Sequence, residues 1–135
     1  MKMRKTSSFL FNAPPLVVWN AVTSGNEENN FAFATMTDEE YAARRAETLE
    51  KGEVMARVVD MTPGKSCGYT LESKQFDMNW SATFEARDKK RTRMVLTEEY
   101  DFHSLGQYLL GRLFLNQGRR QREYFQEIAN KISRT

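Results

Sequence analysis

One carboxylate, Glu98, interrupts an otherwise apolar pattern and is the residue best placed to do chemistry. It lies in the second of two neighbouring segments, Phe76–Ala86 and Thr92–Phe102. The first alternates strictly between apolar and polar side chains, and the second follows the same alternation with few exceptions. Such alternation predicts two strands with one buried face, and the even-numbered residues of both segments must share that face. Glu98 is even-numbered, and burying a carboxylate is costly unless it is paired, hydrogen-bonded, protonated or hydrated.

Two interpretations of Glu98 follow from this position. In the first, the carboxylate orients a polar group of a bound ligand or acts as a general acid or base. In the second, which is simpler and which we favour, it lies near the end of the sheet and is satisfied by an arginine or by water. Arg112, in the segment that follows, is the candidate arginine.

The pairing register of the two segments is constrained by the same alternation. A turn near Lys89 with an odd number of residues, for example three, keeps the apolar residues of both segments on one face. The pairs that this register predicts are Phe84 with Met94, Ala82 with Leu96, and Trp80 with Glu98 or, after a shift of two residues, with Tyr100.

Aromatic side chains complete the candidate ligand-binding set. Tyr69, Tyr100 and Tyr108 each combine a ring with a hydroxyl that can hydrogen-bond a ligand in an apolar pocket, although ordinary core packing explains each of them as well. The full set predicted to bind a ligand is Tyr69, Trp80, Phe84, Met94, Glu98, Tyr100, Tyr108 and Arg112. The pattern assigns no catalytic residue.

The remaining reactive residue types predict no further site. His103 is the single histidine and Cys67 the single cysteine, so a usual zinc site is not expected, and no disulfide can form within the chain. We expect a solvated His103 at a strand end and a buried Cys67. The basic cluster Arg119–Arg122 is interpreted as a solvated helix face, and no glycine-rich phosphate loop is present, so neither a cofactor nor a metal is predicted.

Composition bounds the class of protein. The 135 residues predict one domain, and 40% apolar residues are enough for a hydrophobic core. A net charge of +2 gives no strong preference for nucleic acid or for an anionic membrane. No apolar run approaches the roughly 20 residues of a membrane-spanning helix. We therefore expect a cytoplasmic protein without nucleic-acid binding or stable membrane insertion, and a homodimer stays open.

The order of elements predicts helices on one face of an antiparallel sheet, which is an α+β fold. A final helix from Leu105 to Ile132 would reach roughly 40 Å at 1.5 Å per residue. Gly111 and Gly118 within it indicate close approach to the sheet, room for a ligand, or a mild kink. The other predicted elements are strands at Arg4–Phe11, Phe31–Met36, Glu53–Met61 and Ser66–Lys74, and a helix at about Pro14–Val22.

Three features resemble the START-like (SRPBCC) superfamily of polyketide cyclases, pollen-allergen-type proteins and lipid-transfer domains. They are Ala13–Pro15 with Val18 and Trp19 after the first strand, a strand entering at Arg91–Leu96, and the terminal amphipathic helix. The resemblance implies a helix-grip fold, in which about seven curved antiparallel strands wrap a long C-terminal helix around a cavity. To reach seven strands, Ala42–Glu50 is predicted to be a strand, against local propensity and a capping box at Thr37–Glu40 that favour a helix.

The resemblance also implies a function. We expect residues 1–135 to form one START-like domain that binds a small hydrophobic or amphipathic molecule between the sheet and the C-terminal helix. One alternative is a cyclase- or dehydratase-type reaction in that cavity, with Glu98 or a tyrosine moving a proton. Another is a protein-interaction module that resembles the activator of heat-shock ATPase and uses its outer surface.

Overall fold

The computed structural model describes residues 1–24 and 36–134, which form one antiparallel sheet and four helices. In chain order the elements are β1 (Lys2–Phe11), α1 (Pro15–Thr23), α2 (Asp38–Glu50), β2 (Met55–Thr62), β3 (Ser66–Glu72), β4 (Phe76–Asp88), β5 (Arg91–Phe102), α3 (Leu105–Phe114) and α4 (Gln117–Ser133). The strand order in the sheet is β1-β5-β4-β3-β2. The predicted α+β class is confirmed.

The described residues form five strands, not the predicted seven. The predicted strand at 31–36 lies outside the described residues except for its last position. The predicted strand at Ala42–Glu50 is wrong, because this segment is the greater part of helix α2. The Thr37 hydroxyl accepts a hydrogen bond from the Glu40 amide at 3.1 Å, so the capping signal and local propensity decide the structure here.

The β4–β5 hairpin has the predicted register. Phe84 lies opposite Met94 and Trp80 lies opposite Glu98, without the alternative shift of two residues. The turn itself differs from a simple three-residue loop: a two-residue turn follows Asp88, and the register shifts between Ala86 and Asp88. This irregularity restores the pairing that puts all the apolar residues on one face.

The inner face of the sheet is covered by α1 and α4. Phe125 of α4 stacks on Phe9 of β1, with ring centroids 5.5 Å apart. On the α1 side, the Trp19 indole donates a hydrogen bond to the Ser66 carbonyl at 2.8 Å. Cys67 is buried and free, as expected, and burial raises the pKa of its thiol to about 12. These contacts belong to one apolar cluster that runs the length of the hairpin.

The predicted C-terminal helix is confirmed, but its predicted start at Leu105 is wrong, because the segment is two helices. α3 ends before Leu115, and Asn116 caps α4 by accepting a hydrogen bond from the Arg119 amide at 3.0 Å. α4 alone has 17 residues, or roughly 25 Å, and it crosses the sheet by itself. Within residues 1–24 and 36–134, no helix combines the length and the apolarity that a bilayer span requires.

Candidate functional site

Four of the eight predicted ligand-binding residues lie together on the inner face. The rings of Tyr69 and Trp80 stack with their centroids 5.1 Å apart. Glu98 is opposite Trp80 on the next strand, and Tyr100 follows on the same face. Both Glu98 and Tyr100 are only 6% exposed. The predicted position of Glu98 among buried aromatics is therefore confirmed.

Glu98 is held by the amide side chains of α4. Gln121 Nε2 donates to Glu98 Oε1 at 3.2 Å, and Gln117 Nε2 donates to the Glu98 backbone carbonyl at 3.3 Å. The predicted partner, Arg112, instead donates to the Tyr108 hydroxyl at 3.1 Å within α3. A buried carboxylate that accepts from a neutral amide gains no compensating charge from it, so further polar groups are favoured beside Glu98.

The carbonyl oxygen of Gln121 has no donor among the described residues. Gln121 is 1% exposed, and its Nε2 donates both to Glu98 and to the Lys5 carbonyl at 3.1 Å. These two acceptors fix the amide orientation, because a flipped amide would face its oxygen toward both of them. A buried acceptor without a partner costs about 1–3 kcal/mol. A hydroxyl or N–H group at this point would remove that cost.

A cation lies beside the cluster. Arg120 donates to the Tyr100 hydroxyl at 3.0 Å, and the guanidinium is partly accessible to solvent. Partial burial opposes the charge of Arg120, but the Tyr100 hydrogen bond and the nearby Glu98 carboxylate raise its pKa overall. Arg120 therefore offsets the charge of Glu98 without contacting it directly.

The phenol groups of Tyr124 and Tyr69 lie close enough to Glu98 for its charge to act on them. Tyr124 packs edge-on against Trp80 with ring centroids 5.8 Å apart. Burial raises the pKa of both Tyr124 and Tyr69, and the Glu98 charge adds to both shifts. Both phenols stay neutral at physiological pH, so each keeps a hydroxyl that can donate as well as accept.

The other four predicted site residues lie outside this group, although Phe84 and Met94 share the inner face with it. Phe84 and Met94 are buried towards the turn end of the hairpin, four residues from Trp80 and Glu98 along their strands. Tyr108, on α3, places its ring edge-on to Phe102 with centroids 6.2 Å apart. Arg112, also on α3, is exposed.

Sequence reasoning missed the residues that α4 supplies, which are Gln117, Arg120, Gln121 and Tyr124. The interpretation of Arg119–Arg122 as a solvated face is wrong for Gln121. A usable signal was present, because Gln117, Gln121 and Tyr124 follow the i, i+4, i+7 spacing of one helix face.

The fold is START-like, as solved structures of that class show. A START superfamily protein from Mycobacterium smegmatis aligns with a TM-score of 0.63 at 6% identity, over 97% of both chains. A norcoclaurine synthase point mutant from Thalictrum flavum, in complex with a transition-state analogue, aligns with a TM-score of 0.63 at 6% identity, over 99% of this chain and 96% of its own. The predicted resemblance is confirmed at the level of fold.

A protein from Mesorhizobium loti shares the same architecture, with a TM-score of 0.63 at 14% identity over 98% of each chain. Comparison with protein-family models gives no match, and comparison with curated protein sequences gives none. The likeness therefore defines a START-like fold.

Proposed function

We propose that this chain binds a small amphipathic molecule between the sheet and α4. The site comprises the cluster described above: Tyr69, Trp80, Glu98, Tyr100, Arg120, Gln121 and Tyr124. The observation that carries the proposal is the Gln121 carbonyl oxygen, a buried acceptor that lacks a donor beside a buried carboxylate. A folded chain keeps such a costly arrangement more readily where a ligand completes it.

The chemistry of the cluster selects the polar group of the ligand. Glu98 and the Gln121 oxygen are both acceptors, so the ligand supplies a hydrogen-bond donor. Arg120 already offsets the charge of Glu98, which favours a neutral donor over an ammonium group. A carboxylate would meet two acceptors and is disfavoured. An alcohol or phenol fits best.

The apolar part of the ligand is expected to pack against aromatic rings. Tyr69, Trp80 and Tyr124 present stacked and edge-on ring surfaces beside the polar atoms. A flat ring or a short chain that carries one hydroxyl meets both requirements. The norcoclaurine synthase mutant, whose structure is a complex with a transition-state analogue, supports a fold that accommodates a small molecule.

Matched probes test the polar preference. In a Trp19→Phe background, Trp80 is the only tryptophan and its emission reports on binding. We expect 2-naphthol to bind at least about tenfold more tightly than 2-naphthoate, because one well-placed hydrogen bond near a charge is worth about 1.4 kcal/mol or more. Absence of saturable binding by 2-naphthol and by a series of short-chain alcohols would contradict the proposal.

A double variant separates function from stability. Replacing both members of the polar pair, by Glu98→Leu with Gln121→Met, removes the buried charge and the unpartnered oxygen together. We expect an equal or higher thermal midpoint, because apolar replacement of a buried polar pair is often neutral or stabilising. The naphthol preference should disappear.

The control is Gln126→Leu, on the exposed side of α4, where the Gln126 side chain donates to Asn130 Oδ1 at 3.2 Å. This variant should keep both the midpoint and the preference. If the double variant folded and still preferred naphthol over naphthoate as strongly as the original chain does, the site assignment would be wrong.

A further inference from the structure

Helix α3 turns its polar and small side toward the protein and its apolar side toward solvent. Gly111 faces the Phe102 ring so closely that an added Cβ would lie 2.5 Å from it. Tyr108 also packs against Phe102. No residue of α3 is buried, although six of its ten residues are large and apolar or aromatic.

The outward side of α3 is a continuous apolar surface. Its residues follow helical spacing along one half of the helix, and the two nearest the C-terminal end, Leu113 and Phe114, are 76% and 80% exposed. We define the α3 surface as Leu105, Leu109, Leu110, Leu113 and Phe114. An exposed cluster of this kind on one short helix is typical of an interaction site.

The segment that runs from α3 into the first turns of α4 is basic, although one of its arginines, Arg119, is ion-paired with Glu123 at 3.0 Å. Between Ser104 and Arg122 the sequence has four arginines and no acidic residue. Lys5 of β1 lies beside the first turn of α4, with its Cε 3.5 Å from the Cβ position of Gly118. The small net charge of the whole chain therefore conceals a local basic segment that follows the apolar helix.

We propose that α3 binds the surface of an anionic membrane and lies in the plane of the interface. Leucine and phenylalanine on one side, with arginines flanking them, are the combination by which a helix enters the boundary between headgroups and acyl chains. Each basic residue near an anionic leaflet adds attraction that falls with salt. The helix is too short to span the bilayer, so binding is peripheral.

A second copy of this chain fits the α3 surface less well. A two-fold contact apposes the same patch of both subunits, which would bring the arginines of one copy toward those of the other. Anionic headgroups instead neutralise them. The charge pattern therefore favours a membrane over self-association, and this inference does not depend on the ligand proposed above.

Vesicle sedimentation of the full chain tests the inference. We expect the chain to pellet with vesicles of phosphatidylcholine and phosphatidylserine at low salt, and to bind vesicles of phosphatidylcholine alone at least about tenfold more weakly. A double variant, Leu113→Ser with Phe114→Ser, should lose at least about tenfold in partitioning. Its thermal midpoint should not fall, because both side chains are largely exposed.

The matched control is Leu10→Ser with Val59→Ser, which removes two exposed apolar side chains from β1 and β2 and should leave vesicle binding unchanged. Two results would overturn the inference. One is absence of binding to the phosphatidylserine vesicles. The other is a stable dimer in analytical ultracentrifugation that the Leu113→Ser, Phe114→Ser variant abolishes, which would assign the α3 surface to a second copy.

Discussion

A buried carboxylate that is hydrogen-bonded by an amide side chain leaves a further acceptor nearby, whereas one bonded by a guanidinium does not. Gln121 uses both hydrogens of its amide, one on Glu98 and one on Lys5, and its own oxygen then lacks a donor. An arginine at the same place would have added a positive charge and left no unsatisfied acceptor. The amide therefore leaves the site with acceptor capacity, which is the property that the proposed ligand uses.

The exposed His103 gives a prediction about pH. Its Nδ1 lies 2.8 Å from the Lys74 carbonyl and its Nε2 lies 3.3 Å from an Asp77 carboxylate oxygen. The Lys74 carbonyl first, and Asp77 second, raise the pKa of His103 above its usual value. Because the folded pKa is the higher one, the stabilisation is complete below the unfolded pKa and is lost as pH rises through the folded pKa.

We therefore expect His103→Gln to lower the free energy of unfolding at about pH 5.5 and to have little effect at about pH 8. The loss should stay below about 1 kcal/mol, because the side chain is exposed to solvent and screened. Urea unfolding at both pH values measures it, with Asp77→Asn expected to show a similar pattern. An equal loss at both pH values would show that protonation of His103 does not contribute.

For single residues, the sequence predicts which side chains point into the core better than it predicts their hydrogen-bond partners. Parity along two strands is enough to place Glu98 beside Trp80, because a strand has a fixed period of two. It cannot assign the partner of Glu98, because that depends on which helix crosses the sheet and in which rotation. Gln121 was therefore missed although its helical spacing from Gln117 was visible in the sequence.

At the scale of elements, local signals decided the two helices that were predicted wrongly. Thr37 caps α2 and Asn116 caps α4, and both are residue types that favour the start of a helix. The segment after Thr37 was predicted as a strand because the resemblance implied seven strands. The break at Asn116 was missed because the apolar periodicity continues across it. The five strands of the described residues were located correctly because their pattern and their packing agree.

Gly111 gives a prediction about how α3 is attached. A methyl group there would overlap the Phe102 ring, with three ring atoms within 3.1 Å. Overpacking of this kind costs about 1–3 kcal/mol, whereas replacing glycine by alanine in a helix gains about 1 kcal/mol. We expect Gly111→Ala to be destabilising by up to about 2 kcal/mol in urea unfolding.

The control for this prediction lies in the same helix. Gly106 has no atom near its Cβ position, so Gly106→Ala should be neutral or slightly stabilising. If Gly111→Ala were as stable as Gly106→Ala, α3 would not be held against Phe102, and its orientation on the protein would need to be revised.

At the scale of the whole molecule, the two proposed surfaces are neighbours in the chain. α3 carries the apolar surface and α4 carries Arg120 and Gln121, and only Leu115 and Asn116 separate the two helices. The break at this point frees α3 from covering the sheet, because α4 alone covers the candidate site. A single helix of roughly 40 Å would not have allowed this division.

The core makes a prediction about cooperativity. Trp19, in α1, and Trp80, which contacts α4, belong to one continuous apolar cluster that includes Phe125. We therefore expect the chain to unfold as one unit, in keeping with its prediction as a single domain. In Trp19→Phe the emission reports on Trp80, and in Trp80→Phe it reports on Trp19.

Within each of these variants, the fluorescence midpoint in urea should coincide with the midpoint from far-UV circular dichroism, because loss of either half of the cluster exposes the other. The comparison is made inside each variant, since both substitutions lower stability. Trp19→Phe, for example, removes the hydrogen bond to Ser66. A fluorescence transition that precedes the circular-dichroism transition in one variant only would show that the α1 and α4 halves of the core unfold separately.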